Sequence, residues 1–468
     1  MTSASLAAGA LTLLAPVSTA APCDPWPPPG ADAGTNGPAG SLSGSLSGSP
    51  SGSLPRQLTG SLGGPTGSHT PPAPWYDGGD GYIPILEGRT TTVQLLTGPT
   101  SPNNTVERFG ISGTDLGIMW DNGDTDTPQV LMALGDTMGD CTMPGDQWRS
   151  NVLFRSSDRD LADGMRIDNA PMEAPGLAKS ILPRSDQPGE VTVIPTAGVE
   201  VDGAQYLRYM SVRHWGAPGE WTTNYSALAR STDNGENWAP VHGTARVGLG
   251  DPALIPGALG DPHTEHADGQ MSAFLTDGDH VYEYMTPSGR NGSAILARVP
   301  HDQIEDMSAY RFWDGREWVS DQDSAAVVLD GKVSELSVSW SEHLGRFIAL
   351  HNDEKNDIVM RQSQSPEGPW SGKDILVSFS QVPTLYGAFV HPWSPAVETE
   401  GKDLYFTMST WDAYNVFLMR TDLSTIEPRT PARARTRSAT ADDSWLRDTP
   451  DPAVTGETVV TYEPLPEN

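Results

Sequence analysis

A motif that recurs five times constrains the fold of this chain more than any other feature: a short apolar run closes in arginine and passes into a polar turn. The copies are NVLFRSSD (151–158), YSALARSTDNGENW (225–238), SAILARVPHD (293–302), DIVMRQSQSPEGPW (357–370) and NVFLMRTDL (415–423). Their closing residues, Arg155, Arg230, Arg298, Arg361 and Arg420, lie 59 to 75 residues apart. Compact propeller repeats run to about 40 to 50 residues, so each copy has room for one blade and long loops. Helical periodicity is sparse, with one short helix expected over 302–310, and the predicted class is all-β.

The first copy shows the pattern in full. An apolar segment at 115–120 runs through Asp-Asn-Gly-Asp, a hairpin signal, into a second at 130–134, and a third covers 151–155. Antiparallel pairing brings the start of the first strand and the end of the second to one edge, which places Asp115 and Asp136 on one rim. Applied to every repeat, the same rule gathers Glu190, Arg213, His214, Trp215, Glu335, Asn352, His391 and Trp411 on that side. Arg149 and Asn151 lie in and just after the long turn of the first repeat, where binding groups often sit. By contrast, Ser231-Thr-Asp-Asn-Gly-Glu-Asn-Trp238 is an Asp box, a turn that marks the fold, and Asp233 reads as structural.

Composition sets the boundaries. Residues 1–22 hold an apolar run and small residues like those of a secretory signal, although the first basic residue is Arg56. Residues 23–80 are Gly/Ser/Pro-rich and are expected to be a disordered linker; 81–427 form the folded unit; 428–468 are expected to be a disordered tail. The formal charge of −31 without a dense basic patch argues against nucleic acid as a partner. Cys23 and Cys141 are compatible with a disulfide in an exported protein, and neither has zinc-site spacing. The paired histidines of HTEHADG (263–269) read as a polar loop, and no metal is predicted.

A rim of acids with interleaved aromatic rings suits a glycosidase. One carboxyl group protonates the leaving oxygen, another acts as nucleophile or activates water, and rings stack on sugars. Blander roles compete at each position. Asp115 and Glu335 open apolar strands, where an unpaired carboxylate is costly. Asp136 could cap a Gly-Asp-Thr turn, and Glu190 follows Pro-Gly as a turn residue would. Arg149 could be an acid's ion-pair partner, and Trp215 and Trp411 could pack between blades.

Taken together, GTDLGIMWDNG, the GDT turn, WRSNVLFRSSD, SVRHWG with its Asp box, SELSVSW, SPEGPW, HPWS and YNVFLMRTDL resemble domain of unknown function 4185. That domain is grouped as glycoside hydrolase family 183, the endo-D-arabinanases, and the resemblance covers about residues 93–423. It implies a five-bladed β-propeller that cleaves internal D-arabinofuranosyl linkages of cell-wall arabinogalactan or lipoarabinomannan. By position on such a fold, Asp115 and Glu335 are the expected catalytic carboxylates, with Asp136 and Glu190 assisting. Arg149, Asn151, Arg213, His214, Trp215, Asn352, His391 and Trp411 are expected to bind substrate. The expected protein is a secreted or cell-wall-associated monomer that needs no cofactor and is not inserted in the membrane once the signal is removed. A propeller that binds wall glycan without cutting it is the alternative, and a sialidase, suggested by the Asp box, is a third reading that five modules argue against.

Overall fold

The computed structural model describes residues 82–140, 147–185, 189–248, 255–261, 263, 268–429 and 459–464. The signal-like segment, the linker up to residue 81, Cys23 and Cys141 lie outside the described residues. Within them, five antiparallel sheets form the blades of a β-propeller. From the axis outward, blade one runs Leu116–Asp121, Val130–Leu134, Val152–Ser156. Blade two runs Thr192–Val201, Ala204–Trp215, Trp221–Ser231, and blade three Met271–Asp277, His280–Thr286, Ala294–Pro300, each with short outer additions. Blade four runs Ser334–Ser341, Arg346–Asn352, Ile358–Ser363, Asp374–Val377.

Blade five closes the ring. Its strands Leu385–Val390, Asp403–Thr410 and Asn415–Asp422 take their fourth partner from the other end of the chain, Thr90–Leu95. Each inner strand packs on the next, and the inner strand of blade five packs on that of blade one. Apolar residues of neighbouring blades fill the seams, so the strands read as nearly continuous buried runs.

The recurring arginine has a structural cause. Arg155 donates to the Asn234 carbonyl, to Asn169 Oδ1 and to Glu236, which joins blade one to the Asp box of blade two. Arg361 binds the Ser371 carbonyl and Asp330, Arg420 pairs with Asp403, and Arg298 lies over the Trp318 ring at 4.3 Å. In the Asp box, Asp233 accepts from Ser231 Oγ and from the backbone and side-chain amides of Asn237, while Trp238 packs edge-on against Trp120.

Three local expectations need correcting. The helix expected over 302–310 is two single 3-10 turns, His301–Gln303 and Met307–Ala309, because the Asp306 side chain caps the Ser308 N–H and restarts the chain between them. A five-residue helix at Thr105–Phe109 was not foreseen. Within the C-terminal stretch expected to lack structure, Val459–Pro464 pairs antiparallel with Tyr82–Glu87.

One irregularity positions the site. Four inner strands slip register near one end, between Leu116 and Ile118, Pro195 and Ala197, Ser334 and Ser337, and Tyr386 and Phe389. Left-handed backbone accompanies the slips at Leu116 (φ 70°), Glu335 (φ 46°) and Gly387 (φ 74°). Bulges of this kind bend a strand and re-aim its side chains, and they gather at functional sites.

Candidate active site

At the bulged ends of the inner strands lies a cavity of about 200 Å³. Its charged lining is Asp115 and Asp136 from blade one, exposed Glu220 from the hairpin tip of blade two, Arg290 from the loop between the second and third strands of blade three, and Glu335 from blade four. Trp215, Trp221, Trp411 and Tyr414 supply aromatic walls, with Ile194, Met210 and Phe389 among the apolar residues between them. The tip of the long hairpin of blade two, residues 215–221, forms one side.

Asp115 precedes the bulge of blade one. Its Oδ2 accepts from the Tyr386 hydroxyl at 3.0 Å, while Oδ1 has no hydrogen-bond partner among the described residues. A side chain at Gly135 would put its Cβ 2.2 Å from that oxygen, so the glycine of the GDT turn is what gives Asp115 its place. Asp136 follows at once and accepts from Thr192 Oγ1 at 2.6 Å. Glu335 accepts from Arg290 Nε at 2.7 Å and from Arg290 Nη2, both on Oε1, and its Oε2 is buried without a partner. An unsatisfied buried acceptor costs about 1 to 3 kcal/mol, and two such atoms sit on this one cavity.

Burial dominates the acidity of the two aspartates. It pushes Asp115 up to about 7, against the Tyr386 hydroxyl and the Arg290 charge, and nearby Glu335 adds to the rise. It pushes Asp136 up to about 8, against the Thr192 hydroxyl, and neighbouring Asp115 adds to the rise. Both carboxyl groups thus ionise at or above neutral pH, Asp136 the later. Such a pair can hold a proton on one member and offer the other as a base or nucleophile.

The sequence-predicted residues divide. Asp115, Asp136, Glu335, Trp215 and Trp411 line the cavity; Glu190, Arg149, Asn151, Arg213, His214, Asn352 and His391 do not. Glu190 is held by the Ser185 N–H and the Ser211 hydroxyl. Arg149 donates to the carbonyls of Phe109, Gly110 and Ala178, fixing the turn after the short helix, and among the described residues no carboxylate is bonded to it. Asn151 clasps the next blade, donating to the Leu182 and Val193 carbonyls and accepting from the Leu182 N–H. Asn352 donates to the Asn356 carbonyl within its own turn. Arg213 and His214 point to solvent before the hairpin tip.

His391 lies beyond Val390, at the far end of an inner strand whose cavity end is Tyr386. Its ring is buried, its Nδ1 accepts from the Trp393 N–H, and burial pushes it down to about 3, so it is neutral.

Arg290, Tyr386, Trp221 and Tyr414 were missed. Tyr386 sits just before the slip of the inner strand of blade five, as Asp115 sits just before left-handed Leu116 in blade one, so the rule that strand starts gather on one rim could have found it. Arg290 sits in a loop, SGRNG, with no pattern to signal it. Among the described residues, no group of three or more His, Cys, Asp or Glu is arranged to hold a metal ion.

Comparison with known proteins places the chain. The family model Domain of unknown function (DUF4185) matches residues 100–420. Notoamide biosynthesis cluster protein J of Aspergillus sp. (strain MF297-2) is 30% identical over 326 residues, 65% of this chain and 81% of that protein. Protein J' of Aspergillus versicolor is 30% identical over 325 residues, 65% and 82% of the two chains. Among solved structures, an exo-beta-1,3-galactanase from Phanerochaete chrysosporium has a TM-score of 0.43 at 12% identity, covering 73% of this chain and 66% of that one. A family 117 glycoside hydrolase from Zobellia galactanivorans has a TM-score of 0.41 at 12% identity, covering 72% and 90%. With a family match across most of the propeller and relatives matched over four fifths of their own length, this chain is a member of the DUF4185 family.

Proposed function

We propose that this protein is a secreted or wall-associated glycoside hydrolase that cleaves internal D-arabinofuranosyl linkages of cell-wall arabinan, as a monomer and with no cofactor in the reaction. The observation that carries hydrolysis is the meeting of Asp115, Asp136 and Glu335 in one aromatic-walled cavity, with two of the three carboxyl groups poised near neutrality. The arabinan assignment rests on the motif resemblance, GTDLG and GDT above all, since these stretches supply Asp115 and Asp136.

Asp136, the later to ionise, is the proton donor to the leaving oxygen. Asp115, the earlier to ionise, is the ionised partner, attacking the anomeric carbon directly or through a water as the glycosidic bond breaks. Trp411, stacked on Tyr386 at 4.3 Å, offers a flat apolar face for a sugar ring. The one guanidinium among the described cavity residues is already paired with Glu335. That favours a neutral sugar over an anionic one and weighs against the sialidase reading, which requires three arginines for the substrate carboxylate.

The test is incubation of the full chain with arabinogalactan, followed by chromatography of the soluble products beside Asp115→Asn and Asp136→Asn. Oligo-arabinosides from the wild type alone are expected, and the anomeric configuration of the first product, read by proton NMR, distinguishes direct attack from attack by water. A folded wild type that binds the polymer and releases nothing would leave the glycan-binding reading in its place.

A further inference from the structure

We propose that Arg290 is a positioning residue of this site: its guanidinium fixes Glu335 on the cavity wall and, through the Tyr386 ring it faces, borders Asp115. The inference rests on the hydrolase reading for its kinetic consequence, while its electrostatic one follows from the contacts of Arg290, Glu335 and Tyr386 and the charges around Asp115.

Arg290 is held from several sides. Its backbone N–H donates to the Gly219 carbonyl at 2.8 Å, which ties the loop of blade three to the hairpin tip of blade two. Its guanidinium carbon lies 5.1 Å from the Tyr386 ring centre, 5.3 Å from that of Trp411 and 5.5 Å from that of Trp221. A cation among three ring faces is stabilised electrostatically and cannot swing away without losing them. Two of its nitrogens converge on Glu335 Oε1, which leaves Oε2 of that carboxylate free of partners.

Glu335 needs such a clamp because its backbone is left-handed, a conformation that a non-glycine residue keeps only when its surroundings enforce it. Tyr386 links the couple to Asp115. The ring that faces the guanidinium carries the hydroxyl that donates to Asp115 Oδ2.

The charged and titratable groups that face Asp115 are Asp136 from its own blade, Arg290 from blade three, Glu335 from blade four, and Tyr386 and Tyr414 from blade five. Of these, Arg290 is the only cation. Arg290 favours the ionised form of Asp115, and Glu335 opposes it. The couple therefore holds Asp115 between two opposed charges, and each can be removed separately.

The experiment is a carboxyl carbon-13 NMR titration of the full chain labelled at aspartate, with the Asp115 resonance assigned by its loss in Asp115→Asn. No substrate is present. Arg290→Gln is expected to raise the Asp115 midpoint by about one pH unit and Glu335→Gln to lower it by a similar amount. The double substitution should return it near the wild-type value. Arg290→Lys keeps the charge but not the planar fork, so it should leave the midpoint within about half a unit while lowering kcat by about 10²-fold on arabinan.

Shifts of the same sign in the two single variants, or no shift in either, would overturn the proposal. So would an Arg290→Lys enzyme with unchanged kcat. If the midpoints move as stated and the wild type cuts no glycan, the electrostatic assignment stands and the hydrolase reading falls. Near-ultraviolet circular dichroism on each variant separates these outcomes from misfolding, and Arg290→Lys, which preserves size and charge, keeps the test open if Arg290→Gln does not fold.

Discussion

Two groups of charged side chains are buried in this propeller, and they follow opposite rules. Between blades two and three, Glu283 accepts from both Arg208 and Arg246 on both of its oxygens and from Ser272 Oγ, with all three charged side chains at 0% exposure. On the cavity, Arg290 pairs with Glu335 and acts on Asp115, Asp136 feels only the more distant positive charge of Arg184, and among the described residues Asp115 Oδ1 and Glu335 Oε2 have no partner. Burial alone would raise Glu283, but the two arginine charges and the serine hydroxyl outweigh it and hold the carboxyl at about 2. Burial wins at Asp115 and Asp136. The contrast teaches that depth does not distinguish a carboxyl group poised near neutrality from one held ionised. What does is whether the surroundings supply enough positive charge and enough donors. Ser272 belongs to both places, lining the cavity while donating to Glu283, so the compensated cluster stands directly behind the uncompensated one.

The sharpest way to break the comparison is to neutralise one acid in each cluster. Asp136→Asn should reduce kcat by about 10² to 10⁴-fold, the usual contribution of general acid catalysis. It should also make the protein more stable at pH 8. A carboxyl group raised from its ordinary value to about 8 binds its proton more tightly in the folded state, so its contribution is greatest at low pH and is lost as pH rises from about 4 through 8. Urea unfolding of wild type and variant at pH 5 and pH 8 checks the sign, since the stabilising difference must grow with pH.

Glu283→Gln should do the reverse. Breaking a buried ion cluster by removing one charge costs about 3 to 5 kcal/mol. The stability it supplies is present above the ordinary glutamate range and is lost as pH falls toward 2, so the variant's deficit should shrink on acidification. Activity per folded molecule should fall far less than in Asp136→Asn. A Glu283→Gln protein of unchanged stability at pH 7 would remove the distinction between the clusters.

Gly135→Ala tests how finely the working cluster is placed. The added methyl would stand 2.2 Å from Asp115 Oδ1 and must displace it. A misplacement of about 1 Å can cost about 10²-fold, so kcat should drop by that order while the melting temperature changes little. Retained kcat would mean that Asp115 moves freely and that its placement is not what the turn is for.

The repeats, the blade count and the rim rule were legible in the sequence because a strand's period of two and its turn residues leave marks over a few positions. The Val130–Leu134 strand was legible instead as a continuous apolar run set off by the Asp-Asn-Gly-Asp turn before it. Asp115, Asp136 and Glu335 were legible as strand-end acids. Glu190 obeyed the same rule and failed it, because its fate was decided by Ser185 and Ser211, which the rule does not consult. Asn151 and Arg149 looked like binding groups in a long turn, yet the turn's own carbonyls take them. Arg290 was invisible because its importance arises from four blades meeting around one loop residue, a relation with no local signature.

The smallest expected effect concerns the rings. Trp411 lies against Tyr386 at 4.3 Å and 20° between planes, and its other neighbour, Tyr414, is tilted at 6.4 Å. Trp411 is half-buried, whereas Trp238, the Asp-box ring, is spent on Trp120 at the blade seam. If Trp411 is a sugar platform, Trp411→Ala should raise KM about 10-fold, the loss of one stacking contact, with kcat within about threefold. Trp238→Ala should leave KM unchanged and lower the melting temperature instead. Because Arg290 also rests on Trp411, a fall in kcat together with the rise in KM would show that the platform and the charge couple are one device, and the Asp115 midpoint in the same variant would show by how much.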